Sequence, residues 1–410
     1  METIPAGPDF NNTEKAFAYK NDHELNKAHW LFQLMRFGWI VKLGTMVTPL
    51  LIKYRFPVKG IIKNTIFRQF VGGVTLSETS SVINELKEYK VDVILDYGVE
   101  GGEYDEAKYD REAGEFIKVI QFAGKQSNAP FISIKVTGLI SSKLLNKLNI
   151  SNPGSGIYPE DLFTKINALD TIEKNQWNNL IKRVDQICSV AEQHQIGVMI
   201  DAEESWIQDP IDLVADLMMK KYNQSKFTVF NTIQLYRKDR LSFMKQSIDN
   251  AIQGGYKPAF KLVRGAYMEK ERKRAVDLSY SSPIQDSKEA TDQDYNQAIE
   301  YCFSLESEIC IVIASHNEES TKLAAMQCSK NQDNRKDIHF SQLYGMSDNL
   351  TFNLAANGFH VSKYLPFGPV EEVIPYLMRR AQENSSVSGQ TSRELYLIKK
   401  EISRRRKQPL

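Results

Sequence analysis

VDVILDYGVEGGEYD, residues 91–105, opens on a β-branched apolar run and passes through two adjacent glycines. A doubly wound nucleotide-binding sheet would place GxGxxG after its first strand, and VEGGEYD lacks that spacing. The run is the first of eight. FISIKVTG (131–138), GVMIDAE (197–203), FTVFNTIQLY (227–236), AFKLVRGAY (259–267), CIVIASHN (310–317), IHFSQLYG (338–345) and HVSKYLPFG (360–368) follow. Amphipathic helical runs such as WNNLIKRVDQICSVAEQH (177–194) separate them. Strands alternating with helices predict parallel pairing through crossover helices. Eight such units favour closure into an α/β barrel of the (β/α)8 TIM type. No fixed period recurs, which argues against a solenoid.

Outward from the strands, residues 1–75 read as an N-terminal helical arm with a break near Gly72-Gly73. Residues 76–390 read as the barrel, and 391–410 as a C-terminal helix, SRELYLIKKEISRRR (392–406), ending in a basic tail. Thr75-x-x-Glu78 has the form of a capping box opening the helix SSVINELKEY (80–89), because the threonine oxygen and the glutamate can satisfy the first unpaired amides. The longest interruption is 139–175, with NPGSGIYPED (152–161) as a turn cluster.

The chain has 410 residues, 42% hydrophobic and 25% charged, a globular composition that excludes disorder along the whole chain. Lys+Arg 52 against Asp+Glu 51 leaves +1, so no global field draws it to nucleic acid. Arg404-Arg405-Arg406-Lys407 reads as a solvated tail. Cys188, Cys302, Cys310 and Cys328 form no CxxC pair, which fits a reducing compartment without a metal knuckle. Neither a Walker loop nor HExxH nor GxSxG occurs, so metal hydrolysis and acyl transfer lack their parts. Glu2, Asp9 and the missing apolar core at the start argue against a secretory or transit signal and favour a bacterial cytoplasm. LFQLMRFGWIVKLGTMVTPLLI (31–52) is interrupted by Arg36 and Lys42, too soon for a membrane span. It reads either as core-packing helices or as an amphipathic patch in peripheral contact with a membrane.

In a (β/α)8 barrel the active site lies at the C-terminal ends of the strands. There the sequence places Lys135, the run Asp201-Ala202-Glu203-Glu204, Gln234, Lys261, Arg264-Gly265-Ala266-Tyr267, Ser315-His316-Asn317 and Tyr364. Each alone is an ordinary core polar group or a solvated end. Their coincidence at one end of successive strands is the signal, and cationic, hydrogen-bonding strand ends could hold a phosphate-bearing cofactor. VEEVIPYLMRRAQENSS (370–386) adds a helix. At about 100° per residue, Val370, Val373, Ile374, Leu377 and Ala381 form an apolar stripe. Tyr376, Arg379, Arg380 and Glu383 fall in the neighbouring stripe. That stripe is either a solvated face with an Arg–Glu pair or a carboxylate clamp. In the second case two guanidiniums grip a carboxylate, Glu383 accepts from an amine, and Tyr376 forms a wall, which suits an amino acid zwitterion.

These residues resemble the proline dehydrogenase family. The matching blocks are MIDAEES (199–205), FKLVRGAYMEKER (260–272), ASHNEES (314–320), QLYGMSD (342–348) and KYLPFGPVEEVIPYLMRRAQENSS (363–386), with ISIK (132–135) fitting as well. The arrangement looks like the monofunctional form, with no aldehyde dehydrogenase module after it and no ribbon-helix-helix module before it. The resemblance implies a distorted barrel holding FAD. By that resemblance Arg379 and Arg380 bind the proline carboxylate with help from Lys135, and Glu383 lies near the amine. Leu262, Tyr364 and Tyr376 wall the ring, and Asp201 orders the catalytic centre. Ala202, Gln234, Arg264, Gly265, Ala266, Ser315 and His316 contact the flavin. Lys261 stands where many bacterial members carry the arginine facing flavin N5, and Met268 where many carry tryptophan.

The implied reaction is hydride transfer from proline C5 to flavin N5, giving Δ1-pyrroline-5-carboxylate, with a quinone as electron acceptor. Pyrroline-5-carboxylate dehydrogenase would act downstream. The implied location is cytoplasmic, peripheral at the inner membrane, or the mitochondrial matrix in a eukaryote. The nearest alternative is hydroxyproline dehydrogenase, in which the position of Tyr364 is typically smaller. A more distant one is a non-catalytic barrel that only binds its ligand.

Overall fold

The computed structural model describes residues 7–39, 42, 46, 59–98, 105–150, 159–305, 308–330, 337–386 and 390–407. All eight predicted strands form: β1 (Asp92–Tyr97), β2 (Phe131–Ile134), β3 (Gly197–Ile200), β4 (Val229–Gln234), β5 (Ala259–Val263), β6 (Cys310–Ala314), β7 (Ile338–Leu343) and β8 (Val361–Phe367). They make a closed barrel in sequence order. The strands end before the predicted runs do. β2 stops at Ile134, and Val136–Gly138 turn off as a 3-10 helix, so the polar residues that follow the strands sit on mouth segments. The glycine turn after β1 and most of the 152–161 turn cluster lie outside the described residues.

Two compact units make up the chain. The first holds residues up to Gly98 together with Phe340 onward. Its core gathers Leu25, Ala28 and Phe32 from the helix Asp22–Met35, Phe67 and Phe70, and Leu395, Leu397 and Ile398 from the helix Gln390–Lys407. The whole predicted stripe Val370, Val373, Ile374, Leu377 and Ala381 joins them, on the helix Val370–Ser386. Burying one such side chain stabilises by about 1.5–3 kcal/mol, which is what fixes this helix's rotation and with it the direction of its polar stripe. Asn21 and Glu24 form a reciprocal capping box at the start of Asp22–Met35.

Thr75 Oγ1 accepts the Glu78 N–H at 3.3 Å, while the Glu78 carboxylate takes the Val74 N–H at 2.9 Å instead of that of Thr75. The helix Leu76–Glu88 thus starts four residues before the quoted stretch. The basic tail is not merely solvated. Arg404 and Arg405 both donate to buried Glu401, and Arg405 also donates to the carbonyls of Phe17 and Lys20, each at 2.9 Å.

The second unit, residues 99–339, holds β2–β6 in parallel register. Ile134 is paired with Ile200, Thr232 with Lys261, and Lys261 with Val312. Its crossover helices include Glu106–Ala123, Thr171–His194, Gln208–Tyr222, Arg240–Gln253 and Lys288–Ser304. The long interruption contributes helices Ser142–Leu148 and Pro159–Asn167. Among the described residues no helix is long and apolar enough to cross a membrane.

Candidate active site

In the second unit the polar residues after β2, β3 and within β5 converge on Asp201. The backbone ladder of β2 and β3 ends where the Asp201 N–H meets the Ile134 carbonyl at 2.9 Å. Asp201 Oδ1 accepts from Lys261 Nζ and, at 2.6 Å, from Ser133 Oγ. Lys135 Nζ lies 3.9 Å from Oδ2. Lys135, Asp201 and Lys261 are all buried. Burial alone would raise the Asp201 pKa. The charges of Lys261 and Lys135, with the hydrogen bonds from Lys261 and Ser133, outweigh it and hold the carboxyl below its usual value.

Beyond the end of the ladder a side chain takes over the pairing. Glu203 accepts the Thr137 N–H at 3.0 Å and the Thr137 hydroxyl at 2.5 Å. Its own N–H donates to Gln208 Oε1 at 2.7 Å, and its carbonyl accepts from Gln234 Nε2 at 2.6 Å. Glu203 therefore ties the ends of β2, β3 and β4 together. Burial pushes its pKa up to about 7 against the opposing hydrogen bonds from Thr137. The other oxygen-bearing end of Gln234 is different: its buried Oε1 has no hydrogen-bond partner among the described residues.

At the ends of β5 and β6, Arg264 donates to Ser315 Oγ, to Ser320 Oγ at 2.9 Å and to Asp292 Oδ1 at 2.8 Å, with its guanidinium 4.3 Å from the Tyr295 ring centroid. Gly265 adopts φ +143, and a Cβ there would come within 2.4 Å of the Tyr236 ring, so only glycine fits this turn. Ala266 and Met268 are exposed, while Ala202 and His316 are half-buried. Leu262 is fully buried in β5, and its carbonyl accepts from the Tyr295 hydroxyl at 3.0 Å.

The first unit carries the remaining residues. Tyr364 is half-buried in β8, paired with Ile94 and Leu343. On the helix Val370–Ser386, Tyr376 and Arg380 are brought together, one turn apart. Both are buried, and the guanidinium lies 5.3 Å from the ring centroid. A desolvated cation–π contact of this kind is worth about 2 kcal/mol. Arg379, one residue back, is half-buried. The side chain of Glu383 lies outside the described residues.

Sequence reasoning missed Ser133, Thr137 and Gln208 as partners of the cluster, and Asp292 and Ser320 as partners of Arg264. Ser133 had a signal: it stands two residues before Lys135, on the same side of a pleated chain. Asp292 had none, since it lies on a crossover helix 28 residues from Arg264.

A closed barrel of parallel strands with buried charges at the strand ends is the architecture of a barrel enzyme. The proline dehydrogenase family model matches residues 79–393, and the chain belongs to that family. It is 32% identical over 380 residues to a mitochondrial proline dehydrogenase 1 of Dictyostelium discoideum, covering 85% of this chain and 66% of that one. A hydroxyproline dehydrogenase of Xenopus laevis is 30% identical over 416 residues, covering 95% of this chain and 88% of its own. Among solved structures, proline utilization A from Bdellovibrio bacteriovorus superposes with a TM-score of 0.67 at 18% identity. That match covers 91% of this chain and 38% of the larger one, and it supports the fold.

The family implies a flavin-dependent enzyme. The residues present fit such a group. The unpartnered Gln234 Oε1 is an acceptor for a ring N–H, and buried orphan acceptors are rare without a reason. Arg264, Ser315 and His316 supply donors suited to phosphate oxygens.

Proposed function

We propose that this protein is an FAD-dependent proline dehydrogenase that oxidises L-proline to Δ1-pyrroline-5-carboxylate and passes the electrons to a quinone. The observation that carries the reading is the buried cluster of Lys135, Asp201 and Lys261, in a chain belonging to this family. When bound, FAD supplies the two-electron acceptor for the hydride leaving proline C5.

The chain's own residues bind and orient. Gln234, Arg264, Gly265, Ala266, Ser315, His316 and Ala202 hold the cofactor. Lys261 presents a positive N–H donor where negative charge develops, a preorganised arrangement that needs no rearrangement during reaction. Asp201 fixes the Lys261 and Lys135 ammonium groups in place. Arg379 and Arg380, with Lys135, grip the substrate carboxylate, which points the C5–H bond in one direction and supplies proximity. Leu262, Tyr364 and Tyr376 wall the ring. Glu383 accepts from the amine, which must be neutral before its lone pair can assist loss of the hydride.

The product is the substrate of a pyrroline-5-carboxylate dehydrogenase. Trp30, Phe37 and Trp39 are 65%, 54% and 68% exposed, and large aromatics so placed suit a peripheral membrane contact near a lipid-soluble acceptor. The location consistent with this is the cytoplasmic face of an inner membrane, or the mitochondrial matrix in a eukaryotic cell.

The relative named hydroxyproline dehydrogenase, similar over 95% of this chain, favours a second reading in which hydroxyproline is the substrate. Tyr364 speaks for proline, because a large side chain at that position leaves less room for a ring hydroxyl. Purified protein loaded with FAD should show flavin absorbance that bleaches when L-proline is added without oxygen. Bleaching by hydroxyproline alone would establish the second reading, and a protein that takes up no flavin would end both.

A further inference from the structure

β8 carries two adjacent polar side chains with opposite surroundings. Successive strand residues point to opposite faces, so Lys363 and Tyr364 face apart. Lys363 has no exposed surface. Its ammonium group lies 2.8 Å from Asp348 Oδ1 and donates to the carbonyls of Met346 at 2.6 Å and Leu343 at 3.4 Å. The ammonium group thus has one carboxylate oxygen as its ion-pair partner and two backbone carbonyls as hydrogen-bond acceptors. Asp348 in turn accepts from the buried Tyr19 hydroxyl at 2.7 Å. Next to it, Ser347 is held at φ +50 and donates its N–H to Glu394 at 2.5 Å. Burial works to raise the Asp348 pKa. The charges of Lys363 and Lys20 and the hydrogen bonds from Lys363 and Tyr19 outweigh it and keep the carboxyl below its usual value. Burial pulls the Lys363 ammonium down against the attraction of Asp348, and their 2.8 Å contact has the geometry of an ion pair.

Nothing in the proposed reaction uses this pair. As core filling it is a poor choice, since apolar residues of equal volume are often as stable or more so. What an ion pair adds is uniqueness of position: the ammonium group meets the Asp348 carboxylate and both carbonyls in one place only, and the strand is held with it.

We infer that Lys363 is a positioning residue. Through it the buried chain Tyr19–Asp348–Lys363 fixes β8 so that Tyr364 keeps one position, and this sets the discrimination between proline and ring-hydroxylated proline. The inference rests on the reading above, in which Tyr364 walls the substrate ring.

The test compares kcat/KM for L-proline and trans-4-hydroxy-L-proline in the FAD-loaded protein, together with thermal stability. Lys363→Met should lower the proline-to-hydroxyproline ratio by about tenfold, the scale on which pocket shape discriminates. The loss for proline should appear in KM more than in kcat. Tyr19→Phe removes one hydroxyl and leaves the ion pair, so it keeps the test open should Lys363→Met fail to fold. It should shift the ratio in the same direction by less. The double variant Lys363→Met with Asp348→Asn removes both charges. It should regain stability relative to Lys363→Met without regaining discrimination, which a merely structural role would not produce. Wild-type protein reduced by proline, with all three variants at the wild-type ratio, overturns the inference alone. Wild-type protein that proline does not reduce overturns the functional reading and this inference with it.

Discussion

Asp201→Asn keeps the size and most of the shape of the side chain while removing its charge. Two buried ammonium groups then lose their counter-charge. The Lys135 contact at 3.9 Å is worth about 4 kcal/mol at an effective dielectric constant of about 20, and Lys261 is closer still. Against this stands the cost of keeping the carboxylate itself out of water, which the variant no longer bears. Removing one partner of a buried pair usually leaves a net loss of about 3–5 kcal/mol. We expect that loss at pH 7, read as the shift of the urea unfolding curve of the flavin-free protein. The sign of the pH dependence follows from the carboxyl being held below its ordinary 3.8. Its stabilisation is fully present above that value and is lost as pH falls toward the lower folded value. The gap between wild type and variant should therefore be flat from pH 7 to about 4 and narrow below. Adding Lys261→Met to Asp201→Asn should recover much of the loss, because one of the two uncompensated cations is gone. A single-variant loss under about 1 kcal/mol, the scale of an exposed pair, would refute the claim that this cluster is a buried charge centre.

Arg380→Met should reduce kcat/KM for proline by about 2–5 kcal/mol of transition-state binding, or roughly 30- to 4,000-fold. Unchanged kcat/KM would remove Arg380 from the clamp. Glu203→Gln should gain stability relative to wild type as pH rises from 4.5 to about 7. Over that range the folded wild type holds a proton that its unfolded chain has released, so wild-type stability falls by roughly 3 kcal/mol. Parallel urea midpoints for the two proteins across that range would contradict it. Gly265→Ala forces a Cβ toward the Tyr236 ring at φ +143 and should cost about 1–3 kcal/mol. A calorimetric scan matching wild type would show that the turn can open freely.

The barrel was legible because its signal is periodic. Eight β-branched runs alternate with helices, and the stripe from Val370 to Ala381 repeats at helical spacing, so the core contacts follow from one-dimensional pattern. The site was legible in part, as polar residues that interrupt apolar strands at one end. Its internal pairing was not. Thr137 lies in a run that reads as strand, and only the 3-10 turn after Ile134 brings its N–H and hydroxyl to Glu203. Lys363 and Asp348 lie 15 positions apart, Asp348 opening the helix Asp348–Ala356 and Lys363 following it in β8. Asp348 is delivered by a turn after β7 that holds Gly345 and Ser347 at positive φ, which no periodicity announces. The basic tail misled for a related reason. Composition alone cannot show that Glu401 is buried beneath Arg404 and Arg405.

The two buried acids at the β3 mouth divide the work by environment. Asp201 and Glu203 are two residues apart and both lose their water on folding, so burial pushes both pKa values upward. Asp201 gains two ammonium groups and falls below the usual range. Glu203 gains the neutral donors of Thr137 and a smaller pull from Lys135, while the Glu204 charge adds to the upward push, and it stays near 7. A carboxylate meant only to staple two strands needs no cation, because two hydrogen bonds can hold it. One that must orient charged groups needs those groups in contact. The sequence Asp-Ala-Glu therefore encodes two different tasks through what each side chain meets: Asp201 arranges charge where the proposed chemistry requires it, and Glu203 keeps the strand ends from parting beneath it.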